Sequence, residues 1–376
     1  MNPVRNKINK NYHKNSERVI SYGMKVLMLS IDKKIFDEGS DVQNRMIEYG
    51  QLFDELHIVV YTKKGFKDSK ISPNVFLYPT NTGFKPMYFS GAYKISKEII
   101  RKHNIDIITS QEAFTNKVAI KLKKKFKDIK LQVQIHTDFL SERFKKESFK
   151  NLLKYKGYVR GVKIADCVRV VSESMKDKLI KYFGIDDARI FVLPIFVDTE
   201  KIKNAPVTVD LYKKYPQFEK IILMVSRLEK EKNIPLAISA MKDMTKKYPK
   251  IGLVIVGSGS EKKNLKLNNN VVLDGWRDKE TIYSYYKSAD LLLVTSDYEG
   301  YGLTIIEALA SGLPVFSTDV GIAREAGACI TNRNNIANDI VKYIESSSQM
   351  AELANYPYKN KADYLNKFKQ SFICAF

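Results

Sequence analysis

Residues 295–318 read TSDYEGYGLTIIEALASGLPVFST and set out a complete unit of secondary structure. An apolar run at 291–295 leads into a polar loop in which two glycines flank Tyr301. Apolar residues then recur at helical spacing, and a glycine and a proline end the helix before the next apolar run. The order strand, loop, helix, strand is typical of a parallel sheet that helices cover.

The start of this predicted helix is suited to binding an anion. The N–H groups of a first helical turn have no intrahelical partner, and the helix dipole favours negative charge at that end. Glycine also lets a diphosphate approach the backbone closely. We therefore predict that Tyr301, Gly302, Leu303 and Thr304 contact the diphosphate part of a ligand.

Two glutamates accompany the predicted helix. Glu299 lies in the loop before it, and Glu307 lies eight positions later in its second turn. Glu307 can accept hydrogen bonds from ribose hydroxyls, and Glu299 is placed to face a sugar. Alternatively, both carboxylates only complement the positive end of the helix dipole. The flanking glycines and the spacing of the pair favour the functional interpretation.

This segment resembles the signature of glycosyltransferase family 4, in which seven residues separate two glutamates. Glu299 and Glu307 match it within the longer pattern E-G-Y-G-L-x3-E-A-x-A-x-G-x-P-V. The resemblance covers most of residues 24–344 and is strongest from Ile221 onward. It implies an α/β protein of the GT-B fold, with two Rossmann-like parallel-sheet domains that face an interdomain cleft. It also implies a retaining transferase that uses a nucleotide-sugar donor.

A second element lies in residues 224–233, which read MVSRLEKEKN. When the bond between a sugar and a diphosphate breaks, charge builds on the diphosphate, and an arginine and a lysine can stabilise that charge. Arg227 and Lys232 match the R-L-x3-K element with which the family grips the donor diphosphate. The alternative is that Lys230 and Lys232 are solvated surface residues.

The sequence predicts no metal ion at the reaction centre. It contains no D-x-D pattern, which metal-dependent transferases use to hold a divalent ion. Arg227, Lys232 and the helix dipole would supply positive charge at the same atoms. The three cysteines and four histidines are widely spaced, so we expect a reducing compartment, no disulfide framework and no metal cluster. No cofactor is expected besides a UDP- or GDP-sugar co-substrate.

Two weaker elements lie in the same half of the chain. Gly257 and Gly259 follow an apolar run, so they either line the donor site or form an ordinary turn. Gly275 and Trp276 lie in residues 274–277, which resemble the family loop that contacts the nucleotide base through backbone groups. Trp276 either stacks there or packs in the core.

The amino-terminal half offers two further candidates. Ser40 and Gln43 form a capping box that predicts a helix start. The family has a Gly-Gly loop here that closes on the donor, and only Gly39 is retained, so an ordinary helix cap is the alternative. His136 ends the apolar run 131–135 and resembles the family histidine near the donor sugar and the acceptor hydroxyl. A histidine in that position is also often a core residue.

Composition and apolar patterning predict how the chain divides. Pro206 and Pro216 interrupt a lysine-rich stretch between two α/β halves. The predicted parts are a disordered basic extension at 1–23, an N-terminal acceptor-side Rossmann-like domain at 24–200, a linker at 201–218, a C-terminal nucleotide-sugar-binding Rossmann-like domain at 219–345, and a helical segment at 346–376 that packs back on the N-terminal domain. No apolar run is long enough to cross a bilayer, and the first 23 residues lack the apolar core of a signal peptide. We expect a cytoplasmic protein.

The formal net charge of +21 is concentrated in part of the chain. Residues 121–163 hold 14 Lys or Arg against four Asp or Glu. This excess indicates a solvated surface, an anionic membrane or phosphate-bearing acceptor, or nucleic acid; no nucleic-acid-binding signature accompanies it, so we expect no nucleic acid. Several apolar residues among the lysines suit a basic amphipathic helix on the inner face of the cell membrane, with core packing as the alternative.

The expected activity is transfer of a hexosyl group from a nucleotide-diphosphate sugar to a hydroxyl of a glycan or lipid-linked acceptor, in cell-surface polysaccharide or glycolipid synthesis. The expected catalytic residues are Glu299, Arg227, Lys232 and His136. One alternative is another GT-B enzyme, such as a nucleotide-sugar epimerase or a glycogen-phosphorylase-like protein. A second is a catalytically silent sugar-nucleotide-binding or membrane scaffold protein, and a third is a nucleic-acid binder.

Overall fold

The computed structural model describes residues 23–346 and 351–376. The predicted disordered extension at 1–23 therefore lies outside the described residues, except for Gly23. The chain forms two compact units. Unit 1 takes in the described residues up to Leu140 with Lys145–Leu193 and Ala362–Phe376, and unit 2 takes in Ser141–Phe144 and Pro194–Lys361.

Unit 1 is built around a sheet that has eight strands within the described residues. The strands are β1 (Lys25–Ser30), β2 (Glu55–Val60), β3 (Ser69–Ser72), β4 (Val75–Pro79), β5 (Ile107–Ser110), β6 (Lys130–Ile135), β7 (Cys167–Val170) and β8 (Ile190–Val192). Their order is β3-β4-β2-β1-β5-β6-β7-β8, and every neighbouring pair is parallel except β3 with β4. The strand interiors are buried, as expected for parallel strands covered on both faces.

Helices alternate with these strands. They are α1 (Asp41–Gly50), α2 (Tyr88–His103), α3 (Ala113–Lys125), α4 (Glu142–Glu147), α5 (Phe149–Ile164) and α6 (Glu173–Phe183), with 3-10 turns at Lys33–Phe36, Lys85–Met87 and Asp187–Arg189. The predicted cap of α1 forms, because the Ser40 hydroxyl accepts the Gln43 N–H at 3.1 Å. The Gln43 side chain accepts the N–H of Gly39 at 3.0 Å, one residue earlier than a capping box predicts.

The C-terminal helix, Lys361–Ile373, packs within unit 1 from Ala362 onward. Phe368 and Phe372 are fully buried, and Phe368 stacks on Tyr49 with the ring centroids 4.0 Å apart. The hydroxyls of Tyr49 and Tyr364 share a hydrogen bond of 2.7 Å. Aromatic residues therefore join the C-terminal helix to the last turn of α1, which lies early in the sequence.

The same helix brings together two cysteines that the sequence separates widely. The Gln132 amide donates to the carbonyl of Ser371 at 2.6 Å, and Cys167 of β7 forms a disulfide with Cys374. The expectation that the cysteines form no disulfide is wrong for this pair. Packing of the C-terminal helix against the sheet, rather than spacing along the chain, determines which thiols meet.

Unit 2 contains a second sheet whose strands all run parallel to their neighbours. The strands are β9 (Lys220–Val225), β10 (Ile251–Val256), β11 (Val271–Gly275), β12 (Leu291–Val294), β13 (Val315–Ser317) and β14 (Cys329–Ile330). Their order is β11-β10-β9-β12-β13-β14. This is the 3-2-1-4-5-6 order of a doubly wound α/β sheet.

Helices of unit 2 cover that sheet and also occupy the predicted linker. They are α7 (Thr199–Asn204), α8 (Leu211–Lys214), α9 (Ile234–Met244), α10 (Lys279–Tyr286), α11 (Leu303–Ala310), α12 (Ala323–Ala326) and α13 (Ile336–Glu345), with 3-10 turns at Lys230–Lys232 and Ser260–Asn264. The predicted linker, 201–218, therefore belongs to the folded part of unit 2. Ile202 and Leu211 are fully buried, and Asp210 caps α8 by accepting two backbone N–H groups.

None of the helices within residues 23–346 and 351–376 combines the length and the apolar character that a bilayer crossing requires.

Candidate functional site

The order in which strands are added to the unit 2 sheet reverses between β9 and β12. From β9 the chain builds one side of the sheet through β10 and β11, and β12 then starts the other side. Open α/β sheets bind ligands in the crevice outside the carboxyl ends of the strands at such a switch point. Residues 226–233 follow β9 and residues 295–302 follow β12, so both segments lie at this edge.

The structure joins two predicted catalytic residues at that edge. Lys232 Nζ donates to Glu299 Oε1 at 2.6 Å, although the two residues are 67 positions apart. Their side chains are only 12% and 16% exposed. The Ser296 hydroxyl donates to the same carboxylate oxygen at 2.7 Å, and the Thr295 hydroxyl donates to the carbonyl of Lys232. The pair is therefore held from both segments.

Arg227 reaches a different partner. Its guanidinium donates to Glu231 Oε1 at 2.8 Å, and its side chain is 73% exposed. The Glu231 carboxylate is only 14% exposed, so the pair joins an exposed cation to a largely shielded anion. Arg227 therefore stands at the sheet edge with an exposed cationic group that is paired with Glu231.

The start of α11 has the features that favour an anion. Gly302 is its N-cap with φ of +100°, a left-handed conformation that favours glycine, and the cap forms no side-chain hydrogen bond. A Cβ on Gly302 would also lie 2.9 Å from the Ile305 side chain. Leu303 and Thr304 begin the helix, and Leu303 is exposed. The side chain of Tyr301 is buried, and its carbonyl accepts the N–H of Ile322 at 2.8 Å.

Glu307 lies in the second turn of α11 beside a buried tyrosine. Its Oε2 accepts the hydroxyl of Tyr286 at 3.0 Å. Burial raises the pKa of Glu307 above its ordinary value, while the hydrogen bond from Tyr286 and the charge of Lys279 act in the opposite direction. The carboxylate is thus oriented by α10.

Several residues of this edge escape prediction from sequence. Asp297 accepts from Asn233 at 3.0 Å and is also bonded to Arg333, and the Asp297 N–H donates to the carbonyl of Glu231. These contacts fix the loop before α11 against the segment after β9. A cavity of about 860 Å³ lies next to Asp297. In the sequence, the one signal for the role of Asp297 is its position two residues before Glu299.

The predicted glycines after β10 are required by close backbone packing. A Cβ on Gly257 would lie 1.9 Å from the carbonyl oxygen of Ser226, and one on Gly259 would lie 2.3 Å from that of Leu228. Gly257 also has a φ of +141°. The loop after β10 therefore runs directly along residues 226–228.

Trp276 is 70% exposed, so it is not a core residue. Gly275 before it has a φ of +77° and open space around it. The loop is anchored by Asp274, whose side chain accepts from Arg277, Lys214 and the hydroxyl of Tyr285. Burial would raise the pKa of Asp274, but these hydrogen bonds, that from Arg277 first, hold it at about 2. The exposed indole thus stands on a fixed loop.

The two predicted residues of unit 1 lie at the carboxyl-end side of its sheet. His136 directly follows β6, and its Nε2 lies 3.3 Å from Gln134 Oε1. Burial and the charges of Arg169 and Arg45 lower the pKa of His136 to about 3, so its imidazole is neutral at physiological pH. Gly39 is exposed, with a φ of +73°, just before α1.

The basic stretch 121–163 divides between core and surface. Phe139 and Phe144 are buried, so the core alternative holds for them. On α5, by contrast, Phe149 is 75% exposed and Leu153 is also exposed. Because these two residues are four positions apart on one helix, they lie on the same face.

Two family models match the chain. The family described as "Glycosyl transferases group 1" matches residues 213–362, and "Glycosyltransferase Family 4" matches residues 50–201. These matched ranges together account for most of the chain.

Two curated relatives are similar in sequence. The alpha-monoglucosyldiacylglycerol synthase of Streptococcus pneumoniae is 26% identical over 59% of this chain and 54% of its own length. The N-acetyl-alpha-D-glucosaminyl L-malate synthase of Bacillus anthracis is 25% identical over 75% of each chain. The match thus spans about half of the first relative and three quarters of the second.

The fold also occurs in a solved structure, that of Anabaena HepE in complex with UDP and glucose. The two chains superpose with a TM-score of 0.63 at 18% identity, over 93% of this chain and 94% of HepE. Since the family models cover most of the sequence and each unit carries its own parallel α/β sheet, this chain belongs to glycosyltransferase family 4 and has the GT-B fold of two Rossmann-like domains.

Proposed function

We propose that this protein is a retaining glycosyltransferase that moves a hexosyl group from a UDP- or GDP-sugar to a hydroxyl acceptor. The observation that carries the proposal is the ion pair between Lys232 and Glu299 at 2.6 Å. It lies at the carboxyl edge of the unit 2 sheet, where such sheets bind ligands. Glu299 also comes three residues before Gly302, the N-cap of helix α11, where no side chain caps the first N–H groups.

The proposed chemistry is stabilisation of a leaving diphosphate. The C1–O bond of the donor breaks, and negative charge builds on the diphosphate oxygens. The first N–H groups of α11 and the cations of Lys232 and Arg227 would lower the energy of that charge. Arg227, whose guanidinium is exposed, would turn from Glu231 to the diphosphate.

Retention follows if the acceptor attacks from the face that the diphosphate leaves. The acceptor oxygen forms the new bond to C1, and its proton passes to an oxygen of the departing diphosphate. No protein nucleophile is required, and no metal ion takes part in this step. Glu299, which accepts from Lys232 and Ser296, is suited to hold the donor sugar by its hydroxyls. The neutral His136 is assigned to the sugar and acceptor hydroxyls.

The donor's nucleoside is assigned to unit 2. Glu307, oriented by Tyr286, would accept hydrogen bonds from the ribose hydroxyls. The exposed Trp276, on the loop anchored by Asp274, is available to stack with the base. HepE, which shares the fold, was solved with UDP and glucose, and this supports a nucleotide-sugar donor.

The acceptor is proposed to be a glycan or a lipid-linked molecule in cell-surface polysaccharide or glycolipid synthesis. One relative is named alpha-monoglucosyldiacylglycerol synthase, a name that specifies a glycolipid product. The exposed Phe149 and Leu153 on the basic helix α5 would dock on an anionic bilayer. We propose that the protein works in the cytoplasm, peripherally on the inner face of the cell membrane.

The direct test incubates the purified chain with UDP-glucose, UDP-N-acetylglucosamine or GDP-mannose, and with diacylglycerol-containing vesicles or a glycan acceptor. We expect one donor to release nucleoside diphosphate faster when an acceptor is present, with an α-linked product by NMR. EDTA present only during a short assay should leave the initial rate unchanged. Binding of a donor without any release would refute the transferase proposal and favour a silent sugar-nucleotide-binding protein.

A further inference from the structure

Three side chains with metal-binding atoms meet in unit 1. They are Glu55, His57 and His103, and their nearest ligand atoms all lie within 4.8 Å of one another. His57 Nε2 is 2.8 Å from Glu55 Oε2, and His103 Nδ1 is 3.0 Å from the same oxygen. His57 and His103, which are far apart in the sequence, therefore lie side by side in the fold.

The topology of unit 1 explains how they meet. Glu55 and His57 are two positions apart on β2, so their side chains point to the same face of the sheet. His103 is the last residue of α2, which ends at Asn104 in a left-handed conformation with φ of 52°. The end of this helix places His103 over β2, with ring centroids of the two histidines 4.3 Å apart.

A tyrosine orients the buried histidine. His57 Nδ1 lies 3.0 Å from the hydroxyl of Tyr78, on the neighbouring strand β4. When Nδ1 carries the proton and donates to this hydroxyl, the lone pair of Nε2 points toward Glu55 and His103. Metal-binding histidines are commonly held in this way through their second ring nitrogen.

We propose that Glu55, His57 and His103 bind a divalent transition-metal ion, and that Zn²⁺ is the best match. Two imidazole nitrogens and one carboxylate oxygen are a recurrent zinc ligand set, and water can complete the tetrahedron. Ligand bonds of about 2.0–2.1 Å place tetrahedral ligand atoms about 3.3 Å apart. The present separations of 2.8 and 3.0 Å must therefore open by a few tenths of an ångström. Glu55 and His103 can move because they are about one quarter exposed.

Lys25 orients the carboxylate of Glu55. Its Nζ donates to Glu55 Oε1 at 2.6 Å, which leaves Oε2 as the oxygen that faces both histidines. Lys25 therefore fixes the carboxylate in a monodentate orientation, but its positive charge also repels the metal ion. Replacement of this lysine by an apolar residue should tighten metal binding.

The ion would have a structural role. The cluster lies at the amino end of β2, whereas His136 follows the carboxyl end of β6 in the same parallel sheet. The amino ends and the carboxyl ends of parallel strands lie at opposite ends of the sheet along the strand direction, so the cluster and His136 are at opposite ends. A bound metal would tie the last turn of α2 to β2 and stabilise unit 1. The metal-site proposal does not depend on the proposed transferase activity.

The test uses the full chain, stripped with EDTA and dialysed. Zn²⁺ is titrated by calorimetry, Co²⁺ by the visible absorption of a tetrahedral complex, and thermal unfolding is followed with Zn²⁺ or Mg²⁺. We expect one Zn²⁺ per chain and a rise of the unfolding temperature with Zn²⁺ only. His103→Ala and Glu55→Gln should each weaken Zn²⁺ binding by about 100-fold or more, since loss of even an outer-shell group costs about 10–100-fold.

Two variants complete the design. Lys25→Met should bind Zn²⁺ more tightly than the parent protein. Cys329→Ser removes an exposed thiol and should bind Zn²⁺ unchanged. Equal Zn²⁺ affinity in the parent and in His103→Ala, or no Zn²⁺ binding by the parent, would overturn the site. Neither result bears on release of nucleoside diphosphate, so the two proposals fail separately.

Discussion

Lys232 and Glu299 form an ion pair at the carboxyl edge of the unit 2 sheet. Both side chains are largely shielded from water and lie 2.6 Å apart. Removing two charges from water costs free energy, and their attraction offsets this cost only while both are present. Loss of either side chain therefore leaves the other as an unpaired, poorly solvated charge. In the proposed mechanism, the diphosphate is a third charged group beside this pair.

We expect Lys232→Met to lower the kcat of sugar transfer about 10²–10³-fold, because a group proposed to stabilise the leaving diphosphate is lost. Lys230→Met is the matched control, since Lys230 is exposed in the same 3-10 turn. It should keep nearly the parental rate. Steady-state kinetics and circular dichroism on both variants check the prediction; equal losses would remove Lys232 from the mechanism.

Which residues could be predicted depends on whether their partners are near in the chain. Gly302 and Glu307 can be found because a helix start carries its own local pattern. The bond between Asp297 and Arg333 cannot, since it depends on how β12 and the segment after β14 meet. The exposure of Trp276 likewise follows from the packing of its neighbours rather than from its own identity.

Among the elements, those with internal start and stop signals are predictable. Helix α11 is one, because glycine precedes it and a glycine and a proline follow it. The strand β14 has only two residues, too few for any periodicity. The region 201–218 was predicted to be a linker because of its prolines, yet Ile202 and Leu211 anchor it in unit 2. Proline there marks the ends of short helices rather than the end of folded structure.

Helix α5 is an element with an unpaired apolar face. Phe149 and Leu153 are exposed, and the same helix carries the exposed Lys150, Lys156 and Arg160. Exposed apolar side chains among basic residues are typical of helices that lie in a membrane interface. In the proposed membrane contact, the charge excess of residues 121–163 would act together with these apolar side chains.

For this element we expect the protein to float with vesicles that contain anionic lipid, and to dissociate at high salt because screening weakens the attraction. Phe149→Ser with Leu153→Ser should reduce flotation strongly. Leu267→Ser, which replaces an exposed apolar residue of unit 2, is the control and should float normally. Equal flotation of both variants would assign membrane binding elsewhere, and no flotation of the parent would end the proposal.

For the whole molecule, the alternation of strands and helices and the family signature predict the fold. What the sequence could not predict are pairings across long stretches of chain. Cys167 meets Cys374, and His57 meets His103, because sheets and helices bring distant residues together. Residue spacing alone carries no information about such contacts until the strand order is known.

The C-terminal helix contributes to the stability of unit 1. We expect Phe368→Ala to destabilise unit 1 by about 3–5 kcal/mol, since it removes a fully buried ring that stacks on Tyr49. Lys369→Ala, at the exposed neighbouring position, should have little effect. Calorimetric unfolding measures the change. Binding of UDP, assigned to unit 2, should keep its affinity below the unfolding temperature; a loss of that affinity would contradict the assignment.

The return of residues 362–376 to unit 1 also bears on how the protein is made. Domains generally fold in the order in which the ribosome releases them. Here the first unit lacks its last helix until synthesis has passed through all of unit 2. During that interval Tyr49 and Phe53 lack the buried rings of Phe368 and Phe372 that pack on them in the folded unit. A gene fragment that stops at residue 193 would leave both aromatic side chains without these partners.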